Sequence, residues 1–173
     1  MKTNIRKTIC VLIAALMVTA GFAFAGGADR PVPFKGTFQG TDADTCFNFP
    51  IACVDTQGTG ISTVIGQFTF TMNNHVNVTN GTDYGTVTLT AANGDTITTT
   101  YVGSGETVGP NLFSITEVHT ITGGTGRFAD AQGSFTVERM ASGTTFLTSG
   151  SIHGTITAPG VSHEHTLIFL AGE

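Results

Sequence analysis

The chain has 173 residues, 40% hydrophobic and only 11% charged, with a net charge of −5 at neutral pH. One domain of ordinary size accommodates that length, and an acidic surface poor in Lys and Arg argues against nucleic acid or anionic lipid as a partner. We expect no nucleic-acid partner and no apolar run long enough for a comfortable membrane span.

Residues 1–25 read as a secretory signal peptide: Lys2, Arg6 and Lys7 form a basic start, Ile9 to Ala20 is almost wholly apolar, and Ala23-Phe24-Ala25 is a small-x-small cleavage site. Export to the periplasm or the extracellular space is therefore expected, with residues 26–173 as one mature domain. Removing the leader takes three basic residues and leaves four Lys and Arg against twelve Asp and Glu, a net of −8. Cys10 leaves with it. The remaining pair, Cys46 and Cys53 in "CFNFPIAC", reads in an exported protein as a disulfide. A redox or metal pair is the alternative, but the spacing is not Cys-x-x-Cys and no His stands nearby. Closing so short a loop is worth about 2.5 kcal/mol in the chain-entropy account.

Past the leader, helical periodicity is almost absent. Thr-, Val-, Ile- and Phe-rich runs alternate with Gly, Asn and Asp, the pattern of an all-β domain. In chain order the expected strands begin with Phe34 to Gly40 and Val64 to Asn73, where Phe68, Phe70 and Met72 oppose Gln67, Thr69 and Thr71. "YGTVTLTAANGDTITTTYV" is a hairpin turning at Asn93-Gly94. Leu112 to Thr122, Gly133 to Ala141, Phe146 to Thr157 and Thr166 to Ala171 complete about eight strands. Segments 41–60 and 73–83, polar and turn-rich, read as rim loops. Eight strands form a sandwich or close into a single eight-stranded antiparallel β-barrel, and their even spacing favours the barrel, which leaves no exposed edge.

The most patterned stretch is "TITGGTGRFADAQGSF", Thr120 to Phe135. Gly124-Thr125-Gly126-Arg127-Phe128-Ala129 fits the G-x-G-x-x-A of a dinucleotide-binding turn, but that chemistry needs a long helix within a parallel βαβ unit. Gly133 stops any helix after two turns, and the chain has no αβ alternation. A corner explains more: Gly123 and Gly124 allow a sharp exit from the strand, Thr125 can cap a short helical turn near 125–132, and Phe128 and Ala131 can plug a barrel end. The same stretch resembles the signature of the allene oxide cyclase and dirigent-like barrel superfamily at Gly123, Gly124, Thr125, Gly126, Phe128, Ala131 and Gly133, with weaker echoes in "VPFKGTF" and "DYGTVTLTA". That resemblance implies an eight-stranded antiparallel barrel around an apolar cavity, dimers or trimers, and cofactor-free steering of small hydrophobic molecules. The family's cavity acids, tyrosines and cysteine have no matching positions in this chain, so the resemblance carries over the container and not the activity.

Polar residues interrupting the inward faces are the site candidates. In "FSITEVHTI", Phe113, Ile115 and Ile121 share a face with Glu117 and His119, and on the strand after the corner Phe135 and Val137 share one with Arg139. Glu117 and His119 are candidate catalytic residues for general acid–base chemistry, with Arg139 to hold an anionic group. Tyr101, Phe113, Phe135, Phe68 and Phe70 complete the expected ligand-binding lining. The competing reading is a structural Glu–Arg pair. No metal site is expected: His163-x-His165 lacks an evident third ligand (His75 and His153 are remote candidates), and Asp42-x-Asp44 lacks the rest of a Ca²⁺ loop. Three functions stay open. An exported barrel can bind a hydrophobic small molecule in its cavity, act as a cofactor-free cyclase or isomerase, or serve as a structural or surface-interaction protein whose inward Phe side chains (the whole chain has 13 Phe) fill the lumen.

Overall fold

A computed structural model describes residues 30–161. The leader, the expected strand from Thr166 to Ala171, and His163 and His165 lie outside the described residues. Eight strands run in chain order: β1 (Val32–Asn48), β2 (Ile51–Ser62), β3 (Gly66–Asn77), β4 (Thr82–Ala91), β5 (Thr96–Gly109), β6 (Leu112–Gly124), β7 (Gln132–Ser142) and β8 (Leu147–Thr157). Each pairs antiparallel with its neighbours in sequence, and β1 pairs with β8 to close the barrel. Closure gives every strand two partners, so the ladder ends nowhere. Among the described residues no helix is long and apolar enough to cross a membrane.

The segments read as rim loops are largely strand. Residues 41–48 continue β1 and residues 51–62 form β2, a strand of the barrel. The reason lies in the interior. β2 carries Gly58 and Gly60 where the inward side chains of a strand would stand, and a Cβ at these positions would collide with the Phe70 and Phe68 rings and with the β1 backbone. The large rings of β3 fill the space that β2 leaves open. β2 therefore belongs to the sheet without showing an apolar alternation of its own. Segment 73–83 is likewise split, with β3 running to Asn77 and β4 starting at Thr82 around a short turn in which Asn77 and Asn80 accept hydrogen bonds from Thr79 N and Thr82 N, both at 3.0 Å. Near the tip of the β1–β2 hairpin, Cys46 of β1 and its ladder partner Cys53 of β2 form a disulfide, with Cα atoms 4.8 Å apart.

The glycine corner is a single 3₁₀ turn, Gly126–Phe128, between β6 and β7. Gly123, Gly126 and Gly133 take positive φ (149°, 57° and 138°), the conformations that glycine alone adopts cheaply. Thr125 does not cap the turn with its side chain. Its hydroxyl instead accepts the Thr96 backbone N–H at 3.0 Å and so pins the turn to β5. Phe128 and Ala131 are both buried in the core. Arg127 lies over the Phe128 ring, 4.7 Å from its centroid, and donates to the Ile65 carbonyl at 2.9 Å, so the corner spans this barrel end to the β2–β3 connection. With Phe34, Ile97, Ile156 and Ala158 it seals that end.

Candidate functional site

Inward side chains stack in layers along the barrel axis. The innermost polar layer begins with a rung of rings, Tyr101, His119 and Phe135, which face one another in register across β5, β6 and β7. The His119 ring is sandwiched, with centroids 4.7 Å from Tyr101 and 4.7 Å from Phe135 and both partners nearly parallel to it. Phe34 closes the rung edge-on against Phe135 at 5.0 Å.

One step toward the other end, Asp83, Gly103 and Glu117 stand in register across β4, β5 and β6. A Cβ at Gly103 would press on both Asp83 Oδ1 and Glu117 Cγ, so the glycine is what lets two carboxyls enter the same layer. Above them Arg139 from β7 points back at the acids. Its Nε and Nη2 donate to Glu117 Oε1 at 2.9 and 2.8 Å, Nη1 donates to Thr148 Oγ1 at 3.4 Å, and Nη2 lies 4.0 Å from Asp83 Oδ2. The other Glu117 oxygen faces His119 Nε2 at 3.4 Å, and His119 Nδ1 meets Thr99 Oγ1 at 3.1 Å.

Charge in this network is set by burial and pairing. Burial by itself would raise the Glu117 carboxyl, but the His119 hydrogen bond and the Arg139 guanidinium outweigh it and hold the group below its ordinary value. Burial works against the Arg139 charge too, and the Glu117 carboxylate more than restores it. Burial, with the charges of Glu117 and Asp83, pushes the Tyr101 phenol far up, and its buried oxygen has no hydrogen-bond partner. Asp83 is the exception among the acids. Burial and the Glu117 charge push it from 3.8 to about 7, with Arg139 only partly offsetting them.

The raised Asp83 carboxyl gives a prediction with a definite sign. Because the folded chain holds this proton more tightly than the unfolded one, the contribution is fully favourable below the unfolded value of 3.8 and is lost as pH rises to about 7. Asp83→Asn removes that loss. The variant is expected to gain thermal stability over the native chain above this window and to lose the advantage below it, as read by paired melts on either side.

Beyond Arg139 the barrel opens. A cup of about 620 Å³ occupies this end, with Asp42, Asn74, Asp83 and Arg139 among its polar lining and Val54, Val76, Phe113, Ile115, Ala141 and Phe146 among its apolar wall. Below it, between the rings and the Phe68–Phe70 cluster, free space shrinks to about 30 Å³, room for about one water. Of the residues expected to line a ligand site, Arg139 and Phe113 border the cup. Phe70, Phe135, Glu117 and His119 border only the small inner space, Phe68 borders it and a separate pocket along β1, β2 and β3, and Tyr101 is packed against His119. Glu117 and His119 are 1% and 2% exposed, closed off beneath Arg139.

Asp83 and Asn74 are site residues that the sequence does not single out, and Asp42 stands out there only as half of an incomplete Ca²⁺ pattern. They sit in segments 41–60 and 73–83, although Asn74 continues the inward series Phe68, Phe70, Met72 at the same spacing. No family model, curated protein or solved structure matches the chain. Among the described residues no three His, Cys, Asp or Glu side chains converge as metal ligands. Asp42 accepts a hydrogen bond from Thr56 at 2.6 Å, and His75 stacks on Tyr84 at 5.0 Å.

Proposed function

We propose that this protein is an exported β-barrel that holds an apolar or amphipathic small molecule in the open cup. The carrying observation is the asymmetry of the lumen: one half packed to about 30 Å³ of free space, the other a concave site of about 620 Å³ with apolar walls and a few convergent polar groups. That volume and lining are those of a drug-sized ligand site. The resemblance to the allene oxide cyclase and dirigent-like barrels supports the same reading, because containment of small hydrophobic molecules is what such barrels do. Native mass spectrometry of protein purified from its own host tests it. A co-purified small molecule, lost when the cup is filled by Ala141→Trp, is the expected result, and a ligand-free spectrum at every stage of gentle purification contradicts it.

One observation favours a catalytic variant of this reading. A carboxyl held at about 7 on the floor of a cavity is poised for general acid–base work at neutral pH, without a cofactor. Asp83, which borders the cup, fits that role better than Glu117 and His119, which a ligand in the cup does not reach.

A further inference from the structure

The chemical class of the occupant follows from which polar groups of the cup are already satisfied. This inference rests on the cup being a binding site. Arg139, the one cation of the lining, has its fork committed: Nε and Nη2 lie on Glu117 Oε1, Nη1 lies on Thr148, and Nη2 also faces Asp83. The Nε–Nη2 side of its fork is taken by Glu117, so an anion in the cup would have to compete with Thr148 and Asp83 for the remaining N–H groups, and the expectation that Arg139 holds an anionic group is not what the geometry favours. The unsatisfied groups are of the opposite kind. Asn74 Oδ1 and Asp83 Oδ1 have no hydrogen-bond partner, both residues border the cup, and they are 3% and 5% exposed. With Asp83 ionised, above about pH 7, both atoms are acceptors that need a donor, and buried acceptors left without one are costly.

The charge around them has the same sense. Asp42, Asp44 and Asp83 line the cup and Glu117 lies just beneath it, four carboxyls against the single guanidinium of Arg139. A cationic donor brought against Asp83 also relieves the two forces that push this carboxyl up, its burial without a full partner and the Glu117 charge. We propose that the cup selects an amphipathic amine, its ammonium seated on Asp83 and Asn74 and its apolar body laid along Val54, Val76, Phe113 and Ile115. Hydrogen-bond donation and charge act together in such a head group, so a primary ammonium is preferred to a quaternary one of equal charge.

The test is isothermal titration of the full mature protein at mildly alkaline pH with four probes of one tail length, each below its micelle concentration: decylamine, decyltrimethylammonium, decanol and decanoate. Decylamine is expected to bind at least about tenfold more tightly than decanol, a difference of one charge-assisted hydrogen bond. Decyltrimethylammonium is expected between them and decanoate weakest. Asp83→Asn, predicted above to be the more stable chain at this pH, should erase the preference of decylamine over decanol, and Asp42→Asn should reduce it. Decanol or decanoate binding as tightly as decylamine, or an undiminished preference in Asp83→Asn, overturns the inference and leaves the cup as a binding site. Absence of binding by all four probes overturns both.

Discussion

Replacing Arg139 by methionine is expected to destabilise the protein by about 3–5 kcal/mol, the usual cost of breaking a buried ion pair from one side. The guanidinium is 4% exposed and makes both short contacts to Glu117 Oε1. Without it the Glu117 carboxylate keeps His119 at its other oxygen and the repelling Asp83 carboxyl beside it, and Asp83 loses the one cation that lowers it. For a domain of this size the melting temperature should fall by roughly 6–20 °C. The decisive comparison is the double variant Glu117→Leu with Arg139→Met. Removing both charges takes away the stranded Glu117 carboxylate, although His119 Nε2 and Asp83 lose a neighbour each, so the double variant should melt above Arg139→Met alone. A melting temperature for Arg139→Met within about 2 °C of the native chain would mean that Glu117 is solvated in the folded state, contrary to its burial.

Truncating Phe128 to alanine should cost a similar amount, about 3–5 kcal/mol, for a different reason. Its ring is fully buried in the core, carried there by the 3₁₀ turn and backed by Gly124, at which a Cβ would stand 2.9 Å from Phe128 Cβ. The turn is strapped to β5 and to the β2–β3 connection through backbone and side-chain hydrogen bonds, so the end has little freedom to collapse into the void. Phe113 at the mouth is the control. It is 37% exposed and borders the cup, so Phe113→Ala should cost well under half as much. Urea unfolding of the two variants compares them directly. Equal losses would show that the barrel is not sealed at one end and open at the other.

How far the sequence carried can be traced residue by residue. The inward sides of β6 and β7 were legible because large apolar residues alternate there, and Glu117, His119 and Arg139 stood out as the polar members of an otherwise apolar series. β2 was not legible, since its inward positions include Thr56, Gly58 and Gly60, which complement Phe70 and Phe68 from the next strand. A strand whose share of the core is supplied by its neighbour has no hydropathy signal of its own. The same cause hid Asp83 and Asn74. Where the lumen turns polar, at the open end, inward and outward faces look alike in sequence, and only the pairing register shows that Asp83, Gly103 and Glu117 form one rung. The corner was legible in its glycines but not in its cap: nothing local tells that the Thr125 hydroxyl goes to Thr96, 29 residues away.

The most direct measurement is a methyl-resolved NMR titration of the protein with the neutral dye N-phenylnaphthylamine. Shifts should appear at Ala52, Val54, Val76, Ile115 and Ala141, which line the cup, while Val87, Leu89 and Ile152 around the packed half keep their positions. Shifts concentrated on the latter three, or no shift at any of the eight at saturating dye, would contradict an interior that is closed at one end and receptive at the other.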